Sequence, residues 1–183
     1  MQNLTDDMLM LKVKSGDLDK LGLLYERHKK RLFGFFYNLG NNPSVSEDLV
    51  QNVFVRMLKY RSSYAGNGSF AAWMFRMARN VNYDYHKKAA KNKIAVGTDP
   101  EDVHVETDTF SEKVDMEDKA YQIKRAMAQL PDEKRELLVL SKYREMKFKE
   151  IGETIGCSEG AAKVRVHRAL KELRNIFLQL ETV

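Results

Sequence analysis

Four basic side chains cluster just after a glycine-containing turn near the end of the sequence. Lys163, Arg165, His167 and Arg168 follow the segment EIGETIGCSEG within one helix-periodic stretch. Lysine and arginine neutralise phosphates, and they donate hydrogen bonds to guanine edges in the major groove of B-DNA. These residue types at this spacing therefore indicate binding to nucleic acid.

The turn before these side chains has the residue types of a helix-turn-helix. Gly152 leaves room for a second helix to cross closely, Gly156 can adopt the left-handed conformation that ends a helix, and Ser158 can cap the next helix. In this motif the second helix lies in the major groove. The residues of that helix predicted to face the core are Ala162, Val166, Ala169, Leu170 and Leu173. The predicted DNA-binding residues are Ser158, Gly160, Lys163, Val164, Arg165, His167, Arg168 and Lys171. The alternative for such a basic face is that it serves solubility alone.

Charge is distributed unevenly along the 183 residues, although the formal net charge is only +5. Residues 1–94 carry a net charge of +8, residues 95–118 carry −8, and residues 119–183 carry +5. The distribution therefore bears more on binding partners than the total does. The acidic residues of 112–118 belong either to the connecting segment or to the first turns of the next helix, where the helix dipole favours anions.

The elements that must position these side chains are predicted to be helices, because the apolar spacing is helical almost throughout. The predicted helices cover residues 4–14, 17–39, 47–61 with Ser46 as N-cap, 70–91, 111–130 and 132–145, before the helix-turn-helix. Residues 95–110 lose this period, contain Gly97 and Pro100, and are acidic. We therefore predict an all-α fold of two small helical domains, 1–94 and 111–183, joined by a flexible acidic linker at 95–110.

Several classes of protein are disfavoured by what the sequence lacks. Its one cysteine, Cys157, cannot form an internal disulfide and is predicted to be a small buried apolar residue, which fits a reducing cytoplasm. No secretory signal and no apolar run of membrane-spanning length is found, so a soluble protein without membrane insertion is expected. No second His or Cys lies at metal-binding spacing from His167, and no nucleophile is paired with a base. We expect no metal, no cofactor and no enzymatic activity.

Four segments together resemble one known family. They are SGDLDKLGLLYERHKKRLFGFFYNLG, SEDLVQNVFVRML, SFAAWMFRMARNVNYDYHKK and LPDEKRELLVLSKYREMKFKEIGETIGCSEGAAKVRVHRALKELR. In order and spacing they resemble the bacterial extracytoplasmic-function (ECF) sigma factors, the small two-domain promoter-specificity subunits of RNA polymerase. The resemblance covers about 150 residues. It implies that residues 1–94 form sigma region 2 and residues 111–183 sigma region 4, with core RNA polymerase and promoter DNA as partners. It also allows an anti-sigma factor, although no residue specifies one.

The resemblance implies a separate task for each segment. The helix-turn-helix would bind the promoter's upstream element as duplex. The helix at 47–61 would dock on the clamp coiled coil of the polymerase large subunit, and the residues expected on that face are Asp48, Gln51, Asn52, Val55 and Arg56. The segment that begins at residue 62 would bind the melted downstream element, since pockets for a flipped base need small hydrogen-bonding groups beside stacking surfaces. The residues expected there are Tyr64, Asn67, Ser69, Trp73, Arg76, Asn80, Tyr83 and Lys87. A core position and a DNA-facing position are equally open for Trp73, whereas Phe75 is expected in the core.

The sequence departs from the family pattern at a few positions. Leu21-Gly22 replaces the usual Ala-Phe, Asn52 stands where an acid is frequent, and Val164 stands where a small polar residue is common. Val164 leaves open which bases are recognised, since an apolar side chain favours a thymine methyl group. A stand-alone operator-binding regulator is the alternative function, but it usually requires dimerisation, and the sequence has no heptad zipper.

Overall fold

The computed structural model describes residues 4–96, 114–143 and 146–181, and all regular structure within these ranges is helical. In chain order the α-helices are α1 (Asp6–Lys14), α2 (Asp19–Asn38), α3 (Pro43–Lys59), α4 (Phe70–Val96), α5 (Val114–Gln129), α6 (Asp132–Leu138), α7 (Phe148–Ile155) and α8 (Glu159–Glu181). A 3₁₀ turn occupies Arg61–Ser63 and a π-helical turn occupies Val139–Tyr143. The predicted all-α class is confirmed. None of the helices described is long and apolar enough to cross a membrane.

The predicted acidic linker lies mostly outside the described residues. Helix α4 continues to Val96, two residues into the segment predicted as linker, and residues 97–113 are not described. Asp115, Glu117 and Asp118 belong to the first turns of α5, which is one of the two alternatives open for the acidic residues of 112–118.

The start of α3 differs from the sequence-based prediction. The helix begins at Pro43, and the Asn42 side-chain oxygen accepts a hydrogen bond from the Val45 amide at 2.8 Å. Ser46 is therefore not the N-cap: it is buried within the helix, and its hydroxyl donates to the Asn42 carbonyl at 2.9 Å. Proline at the first helical position already has a helical φ and has no amide hydrogen to satisfy, so the earlier start is favoured.

Helices α1–α4 form the N-terminal unit around a core of aromatic and aliphatic side chains. Phe35 is fully buried and packs edge-on against Phe36 and Phe75, with ring centroids 5.3 and 5.2 Å away. Burial of each such ring contributes about 1.5–3 kcal/mol, and the predicted core position of Phe75 is confirmed. On α3 the buried apolar residues are Leu49, Val50, Val53, Phe54 and Met57. Tyr60 follows the last turn of α3 and is 47% exposed.

Helices α5–α8 form the C-terminal unit, in which α8 packs against α5, α6 and α7. The helix predicted at 132–145 is divided, because α6 ends at Leu138 and the π-helical turn follows it. The π-helical turn contacts both α2 and α7, and its first two residues, Val139 and Leu140, are buried, as are Leu137 and Leu138 at the end of α6. Residues 144 and 145 lie outside the described residues.

The two units pack against each other, and their buried side chains form one continuous cluster. Where α4 meets α7, the Thr154 hydroxyl donates to the Glu150 carbonyl at 2.7 Å and lies 3.5 Å from the Ala72 carbonyl oxygen. The Arg79 guanidinium pairs with the Glu136 carboxylate at 2.6 Å and donates to the Thr154 carbonyl at 3.2 Å. These contacts hold α4 beside α6 and α7.

Candidate nucleic-acid interface

The turn between α7 and α8 has the geometry that its residue types predict. Gly156 ends α7 in the left-handed conformation with φ of 75°, and the Ser158 hydroxyl oxygen caps α8 by accepting from the Ala161 amide at 3.2 Å. A Cβ atom on Gly152 would lie 2.6 Å from the Cys157 carbonyl oxygen. Gly152 is thus needed because the backbone of the turn, rather than a second helix, passes over it. Cys157 is half-buried rather than fully buried as predicted.

Helix α8 separates its buried face from a basic surface. Ala162, Val166 and Ala169 are buried, while Leu170 and Leu173 are partly buried, as the helical period predicts. All eight predicted DNA-binding residues are exposed: Ser158, Gly160, Lys163, Val164, Arg165, His167, Arg168 and Lys171. We call the outward members Lys163, Val164, His167, Arg168 and Lys171 the basic stripe. Val164 is its apolar member, and its side chain is 49% exposed.

A second candidate surface is a cavity of about 430 Å³ at the start of α4. Its lining comprises the loop 63–69 together with Ala72, Trp73, Arg76 and Glu153. The volume lies within the range of small-molecule sites. Asn67 and Arg76 are exposed at this cavity and Ser69 is half-buried, so the structure brings together hydrogen-bonding groups and an aromatic ring as expected for this segment. We call this space the loop cavity.

Tyr64 is buried, with 3% of its surface exposed, so the expectation that it faces DNA is not met. Its hydroxyl donates to the Asp7 carboxylate, and its carbonyl accepts from the Lys14 ammonium at 2.6 Å. Burial, with a smaller contribution from the bond to Asp7, raises the pKa of Tyr64 well above its ordinary value, so the hydroxyl remains a donor. Its ring packs edge-on against Trp73 at a centroid distance of 4.9 Å. From the sequence alone, a tyrosine beside a loop of small residues is expected to be an exposed stacking group. Tyr64 is buried instead, and its burial depends on α1.

Further along α4, the predicted residues differ in exposure. Trp73 is half-buried: it packs on the core and also lines the loop cavity. Asn80, Tyr83 and Lys87 are exposed. The Lys87 ammonium lies 5.8 Å from the centroid of the Tyr83 ring, within the range of a cation–π contact.

Two carboxylates of α7 bond to Ser69 at the loop cavity, and one of them, Glu153, also lines the cavity. The Ser69 hydroxyl donates to Glu150 at 2.8 Å, and the Ser69 amide donates to Glu153 at 3.3 Å. The Arg76 guanidinium donates to the Glu153 backbone carbonyl. In this arrangement two of the residues expected to bind DNA, Ser69 and Arg76, are bonded to the C-terminal unit.

The third candidate surface is the outer face of α3. Asp48, Gln51, Asn52 and Val55 are exposed there, as the spacing of three and four residues requires. Val55 is 65% exposed, which leaves an apolar side chain in the middle of a polar face. Arg56 is half-buried, and its guanidinium bonds to Asn52 at 3.3 Å and to Asp84 of α4 at 2.7 Å. A cavity of about 280 Å³ adjoins Gln51 and is lined by Tyr25, Lys29, Lys30, Phe33, Glu47 and Val50.

Comparison with known proteins decides the family. Residues 24–92 match Sigma-70 region 2 and residues 120–173 match Sigma-70, region 4, which together cover about two thirds of the chain. Among curated relatives, RNA polymerase sigma factor CarQ of Myxococcus xanthus is 29% identical over 94% of this chain and 97% of its own length. ECF RNA polymerase sigma factor SigW of Bacillus subtilis is 27% identical over 88% of this chain and 91% of its own. The chain belongs to the ECF sigma factors.

Solved structures share the fold of this sigma factor. CnrH in complex with the cytosolic domain of CnrY superposes with a TM-score of 0.69 at 23% identity, covering 93% of this chain and 96% of the other. The sigma factor RpoE in complex with the anti-sigma factor NepR from Bartonella quintana superposes with a TM-score of 0.66 at 22% identity, covering 85% and 94%. The family consists of DNA-binding transcription initiation factors, and a stand-alone operator-binding regulator is not favoured. In the described parts of the sigma factor, no group of three or more His, Cys, Asp or Glu side chains is placed to hold a metal.

In this sigma factor, some residues reach a candidate surface from a distant part of the chain, and the sequence did not predict them. Glu150 and Glu153 reach the loop cavity from the other unit, while Asp7 and Lys14 reach its loop from α1. Glu150 and Ser69 are 81 positions apart, so no local pattern could have paired them. Helix α1 also precedes the region 2 match, which begins at residue 24.

Proposed function

We propose that this ECF sigma factor guides RNA polymerase to promoters by contacting DNA through two surfaces, one on each helical unit. The observation that carries the proposal is the geometry of α7 and α8. A capped turn leads directly into the basic stripe, on the face opposite the buried Ala162, Val166 and Ala169. A helix of this kind fits the B-DNA major groove, which admits one helix.

The basic stripe is proposed to bind the upstream element as duplex. Arg168 and Lys163 supply donors for phosphates or guanine edges, and a good bidentate pair provides about 1–3 kcal/mol of discrimination between bases. The exposed Val164 side chain suits a thymine methyl group. The amino-terminal end of α8, at Ser158 and Gly160, suits a backbone phosphate, because amide groups there point outward.

The loop cavity is proposed to accept a base of the melted downstream element. Asn67 and Ser69 supply hydrogen-bonding groups, Trp73 supplies an aromatic surface, and Arg76 supplies positive charge. Glu150 and Glu153 would repel an incoming phosphate, so α4 and α7 must separate before DNA enters. The 17 residues between α4 and α5, 97–113, can span about 55–60 Å when extended. That length exceeds one turn of DNA, roughly 35 Å, so the separated units can contact elements on successive turns.

The outer face of α3 is proposed to bind core RNA polymerase. Its exposed polar residues surround the apolar side chain of Val55, a combination suited to a partner helix. The chain is proposed to act in the cytoplasm, without catalysis or a cofactor of its own. An anti-sigma protein is a proposed regulator, since the RpoE structure of the same fold is a complex with one.

The test is run-off transcription with purified core RNA polymerase on genomic fragments. The chain is expected to redirect initiation to specific start sites. Arg168→Ala should reduce discrimination at the upstream element by about 10-fold or more while leaving core binding intact. Gln51→Ala should weaken core binding and leave that discrimination unchanged.

Arg174→Ala is the matched control for Arg168→Ala, because Arg174 is also exposed on α8 but lies beyond the basic stripe. It is expected to behave as the unmodified chain does. Equal loss of both activities in the Arg168 and Gln51 variants would contradict the division of tasks. Failure to bind core polymerase or to redirect transcription would refute the function itself.

A further inference from the structure

The loop that forms the loop cavity is held at its first end by Tyr64 and at its last residue, Ser69, by Glu150 and Glu153 of α7. Tyr64 is the buried residue at the start of this loop, whereas Ala65, Gly66, Asn67 and Gly68 are exposed. Its ring packs against Trp73, which lines the same cavity. The position of Tyr64 therefore determines where the following loop residues lie.

Helix α1 contacts both the side chain and the backbone of Tyr64. The Asp7 carboxylate accepts the bond from the Tyr64 hydroxyl, and the Lys14 ammonium donates to the Tyr64 carbonyl at 2.6 Å. These two side chains lie at opposite ends of the nine-residue helix. Between them, Leu11 contacts the loop closely: a Cβ atom on Gly66 would lie 3.1 Å from the Leu11 side chain.

Helix α1 is itself firmly attached to the N-terminal unit, so it can serve as a fixed support. Leu9, Met10 and Val13 are fully buried. The Asp6 carboxylate bonds to Arg27 at 2.8 Å and to His28 at 2.7 Å, both of which belong to α2. A displacement of the loop relative to α2 therefore requires that the contacts of Tyr64 with α1 be broken.

We propose that Asp7 and Lys14 are positioning residues that determine which base the loop cavity accepts. The inference rests on the proposed function of that cavity and adds a part of the chain that precedes the region 2 match. Recognition of a base depends on donors and acceptors held within a fraction of an ångström of their partners. Loss of either contact would let the loop relax, so that wrong bases are admitted and the correct one fits less well.

The experiment uses full-length variants with core RNA polymerase on paired run-off templates, one with the preferred downstream element and others with single-base changes in it. Asp7→Ala, Lys14→Met and Tyr64→Phe are each expected to lower the ratio of transcription from the preferred template to the changed ones by about tenfold. Asp7→Asn retains an acceptor for the hydroxyl and is expected to preserve most of the ratio. Lys12→Met is the matched control, since Lys12 is an exposed lysine of the same helix, and the ratio should be unchanged.

A purely structural role makes a different prediction from a positioning role. If these residues only stabilise the fold, transcription falls equally on all templates and the ratio stays constant, which would overturn the proposal. Discrimination at the upstream element and affinity for core polymerase should not change in any variant. Because Asp7 and Tyr64 share one bond, the double variant Asp7→Ala with Tyr64→Phe should lose no more than either single variant.

Trp73, the one tryptophan of the sequence, supplies a second readout in the free protein. Tyr64→Phe and Lys14→Met should shift its emission, and Lys12→Met should not. If Asp7→Ala does not fold, the Lys14 and Tyr64 variants decide the outcome, and unchanged template ratios in both would refute positioning. An unmodified chain that yields no specific transcript would instead refute the proposed function.

Discussion

Replacing Gly152 by alanine should destabilise the helix-turn-helix. The added Cβ atom would lie 2.6 Å from the Cys157 carbonyl oxygen, 0.8 Å short of the 3.4 Å at which ordinary contact begins. It would also lie 3.2 Å from the Ser158 carbonyl carbon. Both neighbours are backbone atoms, so the turn must move as a whole. That movement stretches the bond from the Cys157 amide to the Gly152 carbonyl, which is 2.9 Å long.

The size of the effect follows from three contributions to the free energy of unfolding. Overpacking costs about 1–3 kcal/mol, and the weakened hydrogen bond costs about 1 kcal/mol. Alanine in place of glycine within a helix returns about 1 kcal/mol. The expected net loss is about 1–3 kcal/mol. For a chain of this length, each kcal/mol corresponds to a fall in Tm of about 2–4 °C.

Urea unfolding followed by circular dichroism measures this difference, with Gly160→Ala as the matched control. Gly160 lies in the first turn of α8, and a Cβ atom there would meet nothing within 4 Å. Gly160→Ala should therefore stabilise the protein by up to about 1 kcal/mol. If Gly152→Ala proves as stable as Gly160→Ala, the close approach of the turn to Gly152 is refuted.

Three further predictions concern a helix cap, a buried carboxyl group and the DNA-facing surface. Asn42→Ala should lower the free energy of unfolding by about 1 kcal/mol in a urea titration, since it removes the cap of α3, and an unchanged value would contradict that assignment. Burial raises the pKa of Glu136, although the Arg79 guanidinium partly opposes the shift. The stability that this group contributes is therefore complete below its unfolded pKa and is lost as the pH rises through its folded pKa. Urea titrations at pH values from below the unfolded pKa of Glu136 to above its folded pKa should show that Glu136→Gln removes this pH dependence. If the variant keeps the pH dependence, another group causes it. Lys163→Ala should reduce the slope of log affinity against log salt for promoter binding by holoenzyme by about 0.9, the value for one phosphate, whereas an identical slope would show that Lys163 contacts no phosphate.

Features governed by neighbouring residues could be predicted from the sequence. The period of apolar residues predicts which side of α8 is buried, and Ala162, Val166 and Ala169 are buried there. The left-handed Gly156 and the Ser158 cap are equally local, because each depends on bonds that span three to five residues. One local prediction failed, since Pro43 moved the start of α3 ahead of Ser46.

Predictions about individual side chains in the loop cavity were less complete. Asn67, Ser69, Trp73 and Arg76 are brought together as expected. Tyr64 lies in the same stretch of sequence, but it is buried against α1. Its partner there, Asp7, lies 57 positions earlier in the chain. Its role as an anchor depends on the Asp7 carboxylate, which its own neighbours in sequence do not reveal.

The sequence by itself determined the helical class, the helix-turn-helix and the distribution of basic residues, because periodicity, capping and composition act over a few positions. Only the tertiary structure decided that the two units form one buried cluster, that Glu150 and Glu153 bond to Ser69 at the loop cavity, and that α1 holds its loop. The physical reason is that these contacts join residues between 50 and 84 positions apart. Partners at such separations depend on how the helices pack, which no local pattern of residues encodes.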